Sequence, residues 1–248
     1  MSAEVEAIER ATVAAVSPDA VGAIEGWLLP FDHGTVSRAR SAVPLRHAPA
    51  AEDTLERIEQ RYAAQGLPPM LRLADLECFD GLRDQLEARR YRGAKPTLVQ
   101  TATLRRMQAV APAGALPAEV DTAPDEAWAA LFLGEGFDPV DGAHRVRVLA
   151  RAQGSLYASV REGGRTVAAG AMAFGHGWAS VHGMRTDATQ RGRGLAGRVL
   201  AGLARVALER GFEKVFLQVE AQNDPALALY RRAGFETRWQ YRYWQPST

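Results

Sequence analysis

Along the second half of the chain the hydrophobic pattern changes period in a definite order. Apolar and polar positions alternate over 155–161 (SLYASVR), run almost unbroken over 166–174 (TVAAGAMAF), and alternate again over 178–185 (WASVHGMR). Gly163-Gly164 and Gly175-His176-Gly177 separate the three runs, so the pattern predicts an antiparallel meander. The period then lengthens. Leu195, Val199, Leu203, Val206 and Ala207 fall on one side of a helix that ends near Arg210-Gly211. The short β-rich run 214–220 (KVFLQVE) reads as a buried parallel strand. Asn223-Asp224-Pro225 opens another helix, with Asp224 expected as N-cap and Pro225 at its first position; it stops at Ala233-Gly234. Residues 235–244 read as a last strand, with Tyr241 and Tyr243 alternating. A helix joins the third strand to the fourth, so these two are expected to run parallel.

The first half repeats this order more faintly. A hairpin is expected over 26–31 and 35–45 around Asp32-His33-Gly34, then a helix over 52–65, a strand over 69–73, a helix over 79–90 and a strand over 96–104. An offset of 144 residues superimposes the two patterns: Leu71 and Leu73 fall on Val215 and Leu217, Leu82 on Ala226, Leu86 on Tyr230, Tyr91 on Phe235, and Thr97 on Tyr241. Apolar positions correspond, but polar ones do not. Phe79 stands for Asn223, and His47-Ala48-Pro49-Ala50-Ala51 stands where the second half has a glycine-rich loop. The Ala/Pro-rich stretch 111–123 reads as a linker, and Asp121 or Thr122 could cap a helix over 124–133. The expected organisation is a domain over 1–110, a linker over 111–123 and a domain over 124–248.

Composition narrows the class. With 248 residues, 47% of them hydrophobic and 24% charged, the chain can bury a core without disulfides or metals. Lys plus Arg number 30 against 29 Asp plus Glu, which gives no bulk attraction to nucleic acid or anionic membrane. One cysteine and five scattered histidines offer no disulfide and no familiar zinc spacing. No run reaches the length of a membrane span, and 1–10 is acidic, so the expected compartment is the cytoplasm.

The distinctive chemistry is the segment Gln190-Arg191-Gly192-Arg193-Gly194, set where a strand feeds a helix. Free N–H groups and the positive dipole end make such a helix start an anion site, and glycines let a phosphate approach the backbone. Gly192-x-Gly194-x-x-Gly197, with Glu220 ending the next strand, formally fits a dinucleotide fingerprint. That fingerprint needs a tight turn, whereas six residues separate the strand from Gly192 and too little chain follows for a doubly wound sheet. The other reading is acyl-CoA binding. Arg191-x-x-Gly194-x-Ala196, followed at the right distance by Asn223-x-Pro225-Ala226-x-x-x-Tyr230-x-x-x-Gly234-Phe235, resembles the GCN5-related N-acetyltransferase (GNAT) family over about residues 120–244.

The resemblance implies an α/β fold of tandem GNAT-like units. Each would be a mixed, mostly antiparallel sheet flanked by helices; the second would hold a splayed parallel strand pair, and the first would have lost its cofactor motif. It implies an acetyl-CoA-dependent acyltransferase that needs no metal. Backbone N–H groups of Arg191, Gly192, Arg193, Gly194, Leu195 and Ala196 would hold the pyrophosphate. Met184, Arg185 and Thr186 would line the splay and meet the pantetheine. Tyr230 would protonate the departing thiolate, and Asn223 would contact the cofactor or its water. His182, on the strand before the loop, and Glu220, on the facing strand, are the candidate bases that deprotonate the amine, with water or a residue elsewhere in the chain as the alternative. Each residue also has a plainer reading: Arg191 and Arg193 as a solvated loop, Tyr230 and His182 as packing, Asn223 as a helix cap.

The acceptor is expected to be a small primary amine, met by the helix over 124–133 and the loop Gly134-Glu135-Gly136-Phe137. Glu135, Asp138 and Asp141 give a faint lean toward polyamines. Alternatives are an acyl-CoA-binding regulatory module, or a protein acetyltransferase that docks its partner on the first half. The chain is expected to be a monomer or homodimer.

Overall fold

The computed structural model describes residues 2–134 and 138–247. Helix α1 (Ser2–Val16) comes first, burying Val5, Ile8, Ala11 and Ala15 at helical spacing. Strands β1 (Ala20–Ile24), β2 (Trp27–Phe31) and β3 (Val43–Pro44) form a small antiparallel sheet. The hairpin therefore turns at Glu25-Gly26 rather than at Asp32-His33-Gly34. The latter is a side-chain turn: Gly34 N donates to Asp32 Oδ1 at 2.7 Å, and Arg151 holds the other carboxylate oxygen at 2.8 Å. Residues 35–45 are mostly not strand; they hold a 3-10 turn, Ser37–Arg40.

Next come α2 (Thr54–Ala63), β4 (Leu71–Ala74), α3 (Asp80–Ala88), β5 (Tyr91–Thr103) and α4 (Leu104–Gln108). The second half runs β6 (Glu119–Asp121), α5 (Glu126–Ala130), α6 (Pro139–Arg151), β7 (Leu156–Glu162), β8 (Arg165–Gly175), β9 (Trp178–Thr186), α7 (Leu195–Glu209), β10 (Lys214–Glu220), α8 (Asp224–Arg232) and β11 (Glu236–Pro246). The meander and the strand-helix order match the periodicity closely. Helix α5 is shorter than the expected 124–133. Helix α6 was not among the expected elements, although Asp138 caps it, accepting from Val140 N and Asp141 N at 2.8 and 3.0 Å, and Pro139 opens it. None of the helices among the described residues is long and apolar enough to cross a membrane.

One sheet of eight strands spans the molecule in the order β4-β11-β5-β10-β9-β8-β7-β6. All neighbours are antiparallel except β9 and β10, as expected from the helix that joins them. The offset of 144 residues survives in three dimensions: α3 and α8 occupy equivalent positions, as do β4 and β10, and β5 and β11. The halves exchange their last strands. Strand β11 lies on β4, and β5 lies on β10. At the centre β5 and β11 pair antiparallel, and Thr97 faces Tyr241, its own equivalent in the repeat, so a pseudo-twofold axis passes between them. The sheet thus has no break at 111–123; that segment carries edge strand β6.

Exchange makes the halves interdependent. Strand β4 has its ladder partner in β11, beside a single isolated bridge from Leu71 to Ala42, and β5 is flanked by β10 and β11. Residues 1–110 or 111–248 expressed alone are expected to be unfolded or aggregated, whereas co-expression restores a soluble complex. Circular dichroism and gel filtration of the three preparations check this; a cooperative melt from either fragment alone would contradict the exchange.

Candidate active site

Strands β9 and β10 pair at Ala179/Val215, Ser180/Phe216 and Val181/Leu217, then part. Beyond that point the backbones of 182–186 and 218–220 diverge. The cause is local. Between the pairs Ala171/His182 and Ala169/Arg185, two residues of β9, Gly183 and Met184, oppose one of β8, Gly170, which makes a bulge. Gly183 takes a φ of +60 there, and an added Cβ would lie 2.6 Å from Leu149 Cδ1. The bulge turns the end of β9 away from β10 and opens a V in the sheet, at the stretch Met184 to Thr186.

The loop after β9 is fixed at its base. Asp187 accepts from Thr189 N at 2.9 Å and Thr189 Oγ1 at 2.7 Å, and its own N–H bonds Val167 O at 2.9 Å. Gly192 and Gly194 both lie in the left-handed region, with φ of +78 and +74. Gly194 starts α7 with no side-chain cap, leaving the N–H groups of Leu195, Ala196 and Gly197 without a side-chain acceptor at the positive end of a 15-residue helix. Gly197 serves packing instead: a Cβ there would meet Val110 O at 3.2 Å. The approach from β9 to Gly192 holds a 3-10 turn, Ala188–Gln190, and the sheet is largely antiparallel, neither of which fits a dinucleotide-binding fold.

A cavity of about 490 Å³ opens at this helix start. It gathers Met184, Arg185 and Thr186 from the V, Arg191, Gly192, Gly194, Leu195 and Ala196 from the loop, and Asn223 and Tyr230 from α8. Arg193 does not join them. Its guanidinium is turned to Glu162, with two bonds of 2.9 Å, and to Gln190. Burial pushes the Arg185 guanidinium below its ordinary range, and nearby Arg145 and Arg191 add to this while Asp141 opposes it. Asn223, not Asp224, is the cap of α8; its Oδ1 accepts from Ala226 N at 3.3 Å.

Tyr230 is buried, with its ring 5.7 Å from Phe235, and its hydroxyl makes no hydrogen bond with the described residues. Burial raises its phenol to about 12. It also lines a second cavity, of about 380 Å³, on the far side of the V. There it meets Glu220, His182, Arg38, Lys95, Arg145 and Tyr243. His182 is fully enclosed and shares a hydrogen bond of 2.8 Å with Ser180 Oγ. Burial, reinforced by the Arg38 charge, drives its imidazole down to about 3. Glu220 stands exposed at the end of β10. Burial would lower Arg38, but Tyr243, Tyr241 and Glu220 around it hold it above its ordinary value.

Sequence reading missed most of this second wall. Arg38 comes from the 3-10 turn of the first half, Lys95 from β5 and Tyr243 from β11. No local motif marks them. The acidic lean is spent on structure: Asp138 caps α6, and Asp141 pairs with Arg145 and accepts from Thr35 Oγ1 at 2.8 Å. Glu135, with Gly136 and Phe137, lies outside the described residues. In the first half, the equivalent of the glycine-rich loop is filled. His47 packs edge-on against Phe79 and Trp239, with centroids 6.1 and 5.2 Å away, and Leu86 is buried where the second half has Tyr230.

The splayed parallel pair, the glycine turn into an uncapped helix and the buried tyrosine between two cavities fit the GNAT superfamily. Within it, the chain belongs to the family described as "Probable histone acetyltransferase Rv0428c C-terminal", whose model matches residues 2–244. The uncharacterized N-acetyltransferase YobR of Bacillus subtilis is 25% identical over 97% of this chain and 98% of its own length. A mycothiol acetyltransferase of Corynebacterium aurimucosum is 50% identical over 58 residues, which is 23% of this chain but only 19% of that protein. This chain therefore spans about a fifth of that relative's length. Among solved structures, a GCN5-related N-acetyltransferase from Kribbella flavida aligns with a TM-score of 0.72 at 17% identity, covering 98% of this chain and 96% of that one. A tandem GNAT protein from the clavulanic acid biosynthesis pathway aligns at 0.60 and 13% identity, covering 99% and 97%.

Proposed function

We propose that the protein transfers the acetyl group of acetyl-CoA to a small-molecule primary amine. The observation that carries this reading is the meeting of the uncapped start of α7 and the open end of β9 at one cavity, with Tyr230 reaching both that cavity and the next. Acetyl-CoA supplies an acyl group on a good leaving thiol. The residues fit it: the N–H groups of Leu195 and Ala196, with the glycines beside them, suit a pyrophosphate. The backbone of Met184 to Thr186, unpaired toward β10, suits an amide-bearing arm and a polarised carbonyl. Tyr230 keeps its proton at all ordinary pH and holds it as general acid for the sulfur.

Glu220 is the better base. His182 at about 3 is neutral at working pH but far too weakly basic to take an ammonium proton, and Ser180 engages its Nε2. Glu220 lines the second cavity at the open end of the V. Glu220→Gln is expected to lower kcat roughly 10- to 100-fold at pH 7, a typical range for losing a proton acceptor. The deficit should shrink as pH rises and the amine loses its proton unaided. A kcat–pH profile checks this, and a constant deficit at every pH would remove Glu220 from proton transfer.

The reading as a whole is tested by calorimetric titration with acetyl-CoA and NADH, followed by amine-dependent release of free thiol. Micromolar acetyl-CoA affinity without NADH binding supports it. Absence of acetyl-CoA binding would overturn it.

A further inference from the structure

The second cavity carries the wrong charge for a simple amine. Its lining includes Arg38, Lys95, Arg145 and Arg185 against the single carboxylate of Glu220. Arg145 is balanced by Asp141, and Arg185 is shared with the cofactor side. Arg38 and Lys95 have no carboxylate within ion-pair distance among the described residues. The Nε of Arg38 is fully buried and has no hydrogen-bond partner there. Tyr243 stands beside it as a neutral hydroxyl, its proton retained by burial. A buried guanidinium nitrogen left unbonded is costly unless something else meets it. An ammonium entering this cavity would be repelled by the two cations, whereas a bound anion would turn both into attractive contacts.

Resting on the acetyltransferase reading, we propose that the acceptor is an amine that also carries a carboxylate, held by Arg38 and Lys95 while its amino group faces Glu220. The planar guanidinium with Tyr243 beside it offers the in-plane donors that two carboxylate oxygens take. Lys95, set in the left-handed region with φ +52, is placed by its backbone as well as by its side chain. The arrangement comes from the first half of the chain, which gives that half a role in choosing the acceptor although it lacks the cofactor loop.

The test is calorimetric titration of the full chain saturated with CoA. The probes are three ladders of equal chain length: ω-amino acids of two to six carbons, their neutral ω-amino amides, and the matching diamines. At one length the acid is expected to bind at least about 30-fold tighter than the amide and the diamine. Arg38→Gln should bring that ratio to within about threefold without altering CoA affinity. Lys95→Gln, at an exposed position, should reduce the ratio partway. Amides or diamines binding as well as the acids, or no acid binding at all, would overturn the proposal. Acetyl-CoA titrated into the same preparation separates the two levels: its failure to bind sinks the transferase reading, while normal binding without acid preference sinks only the anion site.

Discussion

Gly194→Asp is expected to remove acetyl-CoA binding, raising Kd at least about 100-fold, or about 2.7 kcal/mol. Three effects add at that position. Gly194 has a φ of +74, which costs an L-residue roughly 1 kcal/mol or more. Its Cβ would lie 2.8 Å from Pro112 Cγ, so the neighbouring loop must shift. The new carboxylate would sit at the uncapped start of α7, where an anion is wanted. That last effect separates binding from stability. An aspartate is a good N-cap, so it supports the helix while occupying the field meant for the pyrophosphate. Gly192→Asp isolates the charge: it shares the left-handed backbone, with φ +78, but its Cβ has no atom within 4 Å. Both variants are expected to lose binding and some melting temperature to the left-handed backbone, with the larger melting loss in Gly194→Asp, where the Pro112 contact adds. Native-like melting with unchanged Kd in both would remove the loop from the cofactor site.

Tyr230→Phe should do the opposite: turnover falls about 100-fold or more while Kd for acetyl-CoA stays within about twofold. The hydroxyl makes no hydrogen bond with the described residues, so its loss orphans nothing, and the ring contact with Phe235 is kept. The phenol is raised from 10.0 to about 12, so wild-type kcat should show no alkaline limb from this group in the working range. The same shift has a stability signature. The fold favours the protonated phenol, a contribution fully present below pH 10 that is lost as pH rises toward about 12. Other buried tyrosines act in the same direction, so the difference between wild type and Tyr230→Phe isolates this one: the variant should lose less stability across that window. Unaltered kcat in Tyr230→Phe at all pH values would reduce Tyr230 to packing.

How much was legible follows from locality. The lining of the first cavity was readable because its parts lie in two short stretches, 184–197 and 223–235, where periodicity and glycine placement fix backbone shape. Side-chain direction was less so. Arg193 is in the loop, but its charge is spent on Glu162, 31 positions away and brought close by the β7–β8 turn. His182 lies on the face that alternation assigned, yet alternation says nothing about the enclosure that strips its basicity. The cap of α8 moved by one residue because Asn223 and Asp224 are both good caps and only geometry chooses. The acceptor wall was illegible for a different reason. Arg38, Lys95 and Tyr243 meet only because the halves exchange strands, and a repeat seen in sequence does not disclose whose sheet its last strand joins.

The exchange also sets an order of events at the ribosome. Strand β5 is made about a hundred residues before β10 and β11, the strands that flank it. At roughly 5–20 residues per second, both its edges stay open for about 5–20 seconds of synthesis. An open 13-residue strand invites pairing with another nascent copy, and with this topology such pairing could close a swapped dimer. The strand carries its own safeguards: Arg92, Gly93, Lys95 and Pro96 interrupt its first half with charge, a kink and a missing donor. The same Lys95 that faces the acceptor cavity in the finished protein thus guards the unfinished one. Substitutions that smooth this segment should lower the yield of monomer before they touch chemistry.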